Sequence, residues 1–335
     1  MLKIGELKHE QPVYISANSA NEHLLLIGVS GSGKSTRIKE VIESARKEGD
    51  TVIAFDINGT DYCRIEEEIN LINVCGSGIA IPVFTTQEEN RQYLRTVTET
   101  VDLFASVANL GVRQQEALRK AVDFAMKNPE KDIDAMRAIE VGLVQQKNNV
   151  ADGVRTKLWG LLKGNFFNAS ASGIEEQKLN VINLQGVASA TQRQLIEFIL
   201  RLLWRDCRKS VKTSQKRRIV IDEFQNLNLS KLSVLMEMLR EARKYQIGLI
   251  LATQTISIFP KEILAAINQT AVQLYFKTSA SDIKKIAEYI EPNHGYRWTS
   301  ILKSLRIGES VANGSFSIRG YEFDKPIIIQ SAYKN

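Results

Sequence analysis

The sequence predicts an α/β protein with a mainly parallel sheet and an all-α insertion. Three observations carry that expectation. A short apolar run, a glycine loop and a helical stripe follow one another at 23–49. Apolar runs then alternate with helical stripes along 165–335, as in a parallel sheet covered on both faces. Between 86 and 164, helical stripes succeed one another and strand signals almost vanish.

The chain starts with alternating runs at 3–7 and 12–16, a small β lead-in spanning 1–22. The core is expected over 23–85 and 165–335, with the helical insertion at 86–164. His23-Leu24-Leu25-Leu26-Ile27 reads as a buried strand. Ile38, Val41, Ile42 and Ala45 then fall at helical spacing, and Gly49 marks the stop. A second strand at 51–55 ends in Asp56, and 79–84 reads as a peripheral strand with Pro82 favouring an edge. Stripes in the insertion begin at Tyr93, Leu94, Val97 and Val101, and a later one includes Ile133 and Ile139. Two polar stretches there, 147–149 and 151–153, read as exposed turns. Further strands are expected at 179–184, 219–221, 249–252 and 272–276. A long helix begins near Thr191, another carries Leu232, Leu235, Met236 and Leu239, and two more lie at 281–290 and 298–305. The tail closes with short strands such as 326–329.

Composition narrows the field. With 335 residues, 44% hydrophobic and 24% charged, the chain can bury a large core. A net charge of +6 permits an anionic partner without demanding one. Cys63, Cys75 and Cys207 are odd in number and lack metal-ligand spacing, so they read as reduced thiols of a cytoplasmic protein. No leader opens the sequence, and no apolar run approaches the roughly 20 residues of a membrane helix, so no intrinsic membrane segment is expected. His9, His23 and His294 form no metal or triad set, and Trp159, Trp204 and Trp298 fit core or interface packing.

The chemistry concentrates in Gly28-Val29-Ser30-Gly31-Ser32-Gly33-Lys34-Ser35-Thr36, which fits G-x-x-x-x-G-K-[ST]. Glycines let the backbone curl so that successive N–H groups face phosphates. Lys34 can reach the β- and γ-phosphates of ATP, and the Ser35 hydroxyl can ligate Mg²⁺. Gly28, Ser30, Gly31, Ser32, Gly33, Lys34, Ser35 and Thr36 are therefore the candidate phosphate cradle, at the start of a helix.

The strand at 219–221 presents Asp222-Glu223 at its tip. Asp222 can complete the Mg²⁺ shell, and Glu223 can polarise a water for attack on the γ-phosphate. The next strand ends in Ala252-Thr253-Gln254, so Gln254 can contact the γ-phosphate or that water. Before it lie Arg240, Arg243 and Lys244, each able to serve as a cation donated to a neighbour's nucleotide. The stretch Arg205, Arg208, Lys209, Lys212 and 216–218 reads as a solvated helix end, with nucleic-acid contact the alternative. No LSGGQ-like signature is present, 172–177 being only a loose echo, and no guanine-reading N-K-x-D appears.

These stretches resemble the FtsK–HerA superfamily of RecA-like P-loop motors. The resemblance rests on 23–28 leading into 30–35, on Phe55-Asp56 with Gly59, on Asp222-Glu223-Phe224, and on Leu302 and Leu305 ahead of Gly308-Glu309. Its most telling part is Glu241-Ala242-Arg243-Lys244-Tyr245 followed by 249–254. The resemblance implies Arg243 as trans-acting finger, Gln254 as γ-phosphate sensor and Glu223 as catalytic base. It further implies ATP and Mg²⁺, a homo-oligomeric ring, expected to be a hexamer, DNA as the translocated polymer, and a nuclease or defence effector as partner. An assembly platform without processive movement, and a secretion or conjugation ATPase, are the alternatives. With about twenty residues ahead of the first core strand, the chain is expected to be a motor core stripped of accessory domains.

Overall fold

The computed structural model describes residues 1–63, 65, 68–84, 90–128, 134–209, 215–230 and 233–332. Residue 86, the expected start of the insertion, and Ile133, Lys212 and Leu232 lie outside the described residues.

The alternating lead-in forms β1 (Lys3–Leu7) and β2 (Gln11–Ile15), an antiparallel pair. The run LLLI forms β3 (Leu24–Ile27), followed by α1 (Lys34–Lys47) and β4 (Thr51–Asp56). Gly49 ends the helix as expected: at φ 82 its N–H reaches back to the Arg46 carbonyl at 2.9 Å. The sheet edge is β5 (Ile69–Asn73), not 79–84. Leu71 and Asn73 are exposed while Asn70 and Ile72 are buried, the alternation of a half-covered edge strand. Pro82 offers no N–H, and the expected strand is reduced to one bridge between Ile79 and Phe167.

Four helices follow: α2 (Asn90–Ala108), α3 (Val112–Lys127), α4 (Ala135–Val144) and α5 (Asn149–Lys163). Val97, Val101, Phe104 and Ala108 form the buried face of α2. Leu94, which continues that stripe at the amino end of α2, is nonetheless 69% exposed. Residues 151–153 are not a turn. The Asn148 side chain accepts from the N–H groups of Val150 and Ala151, starting α5 there and carrying Gly153 into the helix.

The α/β alternation resumes with β6 (Leu179–Asn183), α6 (Ser189–Lys209), β7 (Arg217–Ile221), α7 (Val234–Glu241), β8 (Ile247–Thr253), α8 (Lys261–Ile267) and β9 (Val272–Tyr275). After α9 (Ile283–Ile290) and α10 (Gly295–Ser304) the chain returns as β10 (Ser310–Gly314), β11 (Phe316–Ile318), β12 (Tyr321–Phe323) and β13 (Ile327–Ile329). The main sheet runs β13-β10-β9-β3-β8-β7-β4-β6-β5, parallel from β9 to β5, with β10 and β13 antiparallel at one edge. A second sheet, β1-β2-β11-β12, unites the two ends of the sequence.

Side-chain alternation sorts the core into two layers. Leu24, Leu26, Val52, Ala54, Val220 and Ile250 face α1 and the small sheet. Leu25, Ile27, Ile53, Phe55, Ile219 and Leu249 face the helical side. Ile38, Val41, Ile42 and Ala45 of α1 are completely buried, the isoleucine and valine side chains contributing roughly 1.5–3 kcal/mol each.

His23, just before β3, is 1% exposed, and its Nδ1 accepts from the Leu249 N–H at 3.0 Å. Burial, helped by the Arg218 charge and opposed by Glu22, pushes its pKa down to about 4 from 6.5. The unfolded chain therefore binds a proton below pH 6.5 that the folded chain refuses until about pH 4. Stability falls as pH falls through that window, by about 2 kcal/mol between pH 7 and pH 5. Urea unfolding at the two pH values should show this loss, and His23→Asn, which keeps an acceptor for Leu249, should remove most of it.

Candidate nucleotide site

The glycine loop is held from several sides. The Gly28 N–H donates to the Thr253 carbonyl (3.2 Å) and the Val29 N–H to the Lys277 carbonyl (2.9 Å), so the strands flanking β3 grip the loop as it leaves the sheet. Gly31 (φ 74) and Gly33 (φ 103) take the left-handed backbone that lets the chain curl. Helix α1 begins on Gly33 with no side-chain cap and no acidic residue in its first turn. Its orphan N–H groups and positive dipole end point into the loop. The Ser32 hydroxyl is buried without a partner. Lys34, only 6% exposed, folds its Nζ onto the Gly28 (2.6 Å) and Val29 (3.3 Å) carbonyls. Burial lowers its pKa, against the pull of Asp222 and Glu223. An uncapped helix start, an orphan hydroxyl and a desolvated ammonium fit a polyphosphate.

Register brings the other groups to the same edge. Strand β8 lies between β3 and β7, with Ile27 opposite Thr253 and Ile221 opposite Leu251. The strand tips therefore deliver Gly28, Gln254 and Asp222 side by side. Burial, reinforced by neighbouring Glu223, raises the Asp222 pKa, and Lys34 partly offsets this. Asp222 also accepts from the Glu223 N–H at 2.9 Å. Glu223 sits in the left-handed region (φ 52, ψ 40), a strain of order 1 kcal/mol for a residue with a Cβ. The Gln254 amide donates to Glu223 Oε1 at 2.6 Å. Ser35, in the first turn of α1, and Asp222 are the two residues whose oxygens could hold Mg²⁺. An ion that keeps several waters and phosphate oxygens needs few protein ligands, and among the described residues no cluster of three or more acidic, His or Cys side chains forms a metal site.

Residues 2–203, more than half of the chain, match the family of the HerA helicase central domain. The chain belongs to that family. It thereby falls in the FtsK–HerA superfamily, as the motifs implied, and the fold is the RecA-like α/β fold of P-loop ATPases. The structure is similar to VirB4 of Thermoanaerobacter pseudethanolicus, with a TM-score of 0.73 at 16% identity, covering 99% of this chain and 96% of that one. It is also similar to the bacterial conjugative coupling protein TrwBΔN70 in its unbound form, with a TM-score of 0.70 at 14% identity, covering 99% of this chain and 91% of that one. Curated protein sequences contain no match.

Within this HerA-family fold, Arg243 stands apart from the other candidates. It is exposed in a short 3₁₀ turn ahead of β8, at the amino edge of the sheet. The seven residues of β8 separate that edge from Gln254, roughly 20 Å along a strand. Arg243 has no ion-pair partner among the described residues, and it lines a small depression with Lys216, Asn21 and Gln246. Lys244 pairs loosely with Glu241 at 4.0 Å. Described members of the basic stretch are engaged internally: Arg205 donates to the Pro82 and Val83 carbonyls, Arg208 pairs with Glu237, and Arg218 pairs with buried Asp50 at 2.7 Å. Lys216 pairs with Glu22 at 2.6 Å. These charges fasten the fold.

Three further parts of the site carried no recognisable sequence signal as site residues. Arg37, fully buried in α1, donates to the Ile4 carbonyl (2.7 Å) and the Gly308 carbonyl (3.0 Å) and pairs with Glu40 at 3.1 Å. Gly308 in turn donates its N–H to the Ser32 carbonyl at 3.0 Å, so a residue near the end of the chain braces the phosphate loop. Asp282, also fully buried, accepts from the Ile256 N–H at 3.3 Å and from the hydroxyls of Ser257 and Ser279. It thus fixes the loop just beyond Gln254. Gln225 is the third, donating to Glu223 Oε2. Asp56, by contrast, is committed to its own loop, accepting from the N–H groups of Gly59 (2.7 Å) and Tyr62 (2.9 Å).

A Cβ on Gly33 would lie 2.7 Å from the Gly308 nitrogen and 2.8 Å from its Cα. Gly33→Ala should therefore cost about 1–3 kcal/mol and weaken binding of a fluorescent ATP analogue. Gly49→Ala has the same backbone sign but open space around it. It should cost about 1 kcal/mol and leave that binding unchanged. Thermal melts and fluorescence titration distinguish the two.

Proposed function

We propose that the chain is the ATP-hydrolysing subunit of a homo-oligomeric ring, a hexamer, that moves DNA in the cytoplasm. The observation that carries this reading is the convergence of Lys34, Asp222, Glu223 and Gln254 on one sheet edge around an uncapped helix start. TrwB, of similar fold, has been crystallised with ADP and Mg²⁺ and with an ATP analogue. No helix among the described residues is long and apolar enough to cross a membrane.

In this reading the N–H groups of Gly31, Ser32, Gly33 and Lys34 bind the phosphates with Ser30 and Thr36 beside them. The Lys34 ammonium leaves the Gly28 and Val29 carbonyls for phosphate oxygens. Ser35 and Asp222 hold Mg²⁺, which when bound offsets phosphate charge. Glu223 takes a proton from the water that attacks in line, and Gln254 senses whether a γ-phosphate is present. Arg243 is too far along β8 to serve its own site, which supports its use in trans on a neighbouring subunit's nucleotide. Helices α2–α5 are an insertion in the motor core, and a nuclease or defence effector is the partner of the ring.

Linear double-stranded DNA should stimulate ATP hydrolysis by the purified protein, and Glu223→Gln or Arg243→Ala should each reduce the rate at least 100-fold, on the order of removing a base or a finger. Mixing the two variants should restore part of the activity, because a ring then contains sites with an intact base and a neighbour's intact arginine. Absence of complementation would rule out the shared site. Hydrolysis indifferent to DNA would turn the reading toward an assembly platform or a secretion motor.

A further inference from the structure

Glu223 is held on both oxygens. Gln254 donates to Oε1 at 2.6 Å, and Gln225 donates to Oε2. The two amides differ in how they are mounted. Gln254 is exposed at the end of β8. Gln225 belongs to the 3₁₀ turn Phe224–Asn226 that follows Glu223 directly. That turn is fixed at three points. Phe224 is fully buried and stacks on Phe259 with ring centroids 5.3 Å apart. The Asn226 N–H donates to the Glu223 carbonyl at 3.0 Å, and the Asn228 N–H donates to Glu197 of α6 at 2.5 Å. Meanwhile Gln225 Oε1 is buried without a hydrogen-bond partner. An amide that leaves its carbonyl unsatisfied while its NH₂ meets a carboxylate is oriented by that carboxylate alone.

We propose that Gln225 is a positioning residue that tethers Glu223 in a resting geometry and so restrains hydrolysis. This rests on Glu223 being the base of the proposed ATPase. A base must turn an oxygen toward the attacking water. With Gln254 and Gln225 on separate oxygens, the carboxylate is spanned between β8 and its own turn. A γ-phosphate that engages Gln254 frees Oε1 but leaves Oε2 tethered to the anchored turn. Full release then requires movement of the turn, whose Asn228 contact leads to α6. The tether would thus couple the base to rearrangement of the helical side.

The test is steady-state ATP turnover without DNA, for the wild type, Gln225→Met, Gln225→Ala, Glu223→Gln and the double variant Glu223→Gln/Gln225→Met. The probes are ATP and a fluorescent ATP analogue. Removing a charge-assisted hydrogen bond that holds the resting state should raise turnover about tenfold in both Gln225 variants. KM and analogue affinity should stay within about twofold of wild type. The double variant should remain as inactive as Glu223→Gln. A merely structural glutamine would lower turnover or leave it unchanged, and either result overturns the proposal. If Glu223→Gln retains wild-type turnover, the assignment of the base fails and the tether with it. If Glu223→Gln is inactive while Gln225→Met is no faster than wild type, only the tether fails.

Discussion

The parallel register of β3, β8 and β7 is the constraint on which the site depends. Each strand contributes one polar tip, and each tip is useful only beside the other two. A slip of a single residue would turn alternate side chains to the opposite layer, moving Leu25 and Ile27 out of the helical side and Leu24 and Leu26 out of the α1 side. Because both layers are apolar and completely buried, that slip is heavily penalised. Packing of the core therefore fixes the position of Gln254 between the phosphate loop and Asp222-Glu223.

A second set of contacts prevents the loops from drifting once the strands are in place. Arg37 draws together β1, α1 and Gly308, so the small sheet made from both ends of the sequence is tied to the phosphate loop. Burial pushes the Arg37 pKa down to about 10, yet it remains charged at neutral pH and is balanced by Glu40. Such a buried cation is strongly destabilising if its partners are removed, by about 3–5 kcal/mol, although the pair itself need not add stability. Asp56 and Asp282 do similar work at the ends of β4 and β8, accepting loop N–H groups and hydroxyls. Asp282 shows the balance directly: burial pushes its pKa up, and hydrogen bonds from Ser257, Thr255, Ile256 and Ser279 bring it below the usual value.

Electrostatically, the edge is arranged around an anion. The Lys34 ammonium loses affinity for its proton through burial, and the Asp222 carboxyl holds its proton more tightly through burial and the nearby Glu223. Each charge is poorly solvated, and neither makes a direct ion pair with the other among the described residues. A polyphosphate and a divalent cation would relieve both shifts together, which is the physical sense in which the residues fit them.

The sequence by itself determined the fold class and much of the candidate site. G-x-x-x-x-G-K-[ST] after a buried strand, Asp222-Glu223 at the tip of another, and Gln254 ending the next are local signals, because strand ends and glycine turns are specified by adjacent residues. The helix start at Asn148 was harder to see, since a short polar run reads equally as a turn or as a cap with its first turn. The edge strand at Ile69–Asn73 was masked by its mixed pattern, in which Asn70 is buried beside Asn180. Tertiary structure alone decided that β1 and β2 would pair with β11, that Arg37 and Gly308 would brace the loop, and that Gln225 would reach the carboxylate of Glu223. Those contacts join residues far apart in the chain, or depend on a left-handed backbone at a non-glycine residue. No periodicity or local motif encodes either, because both arise only when the packed core fixes where the chain may pass.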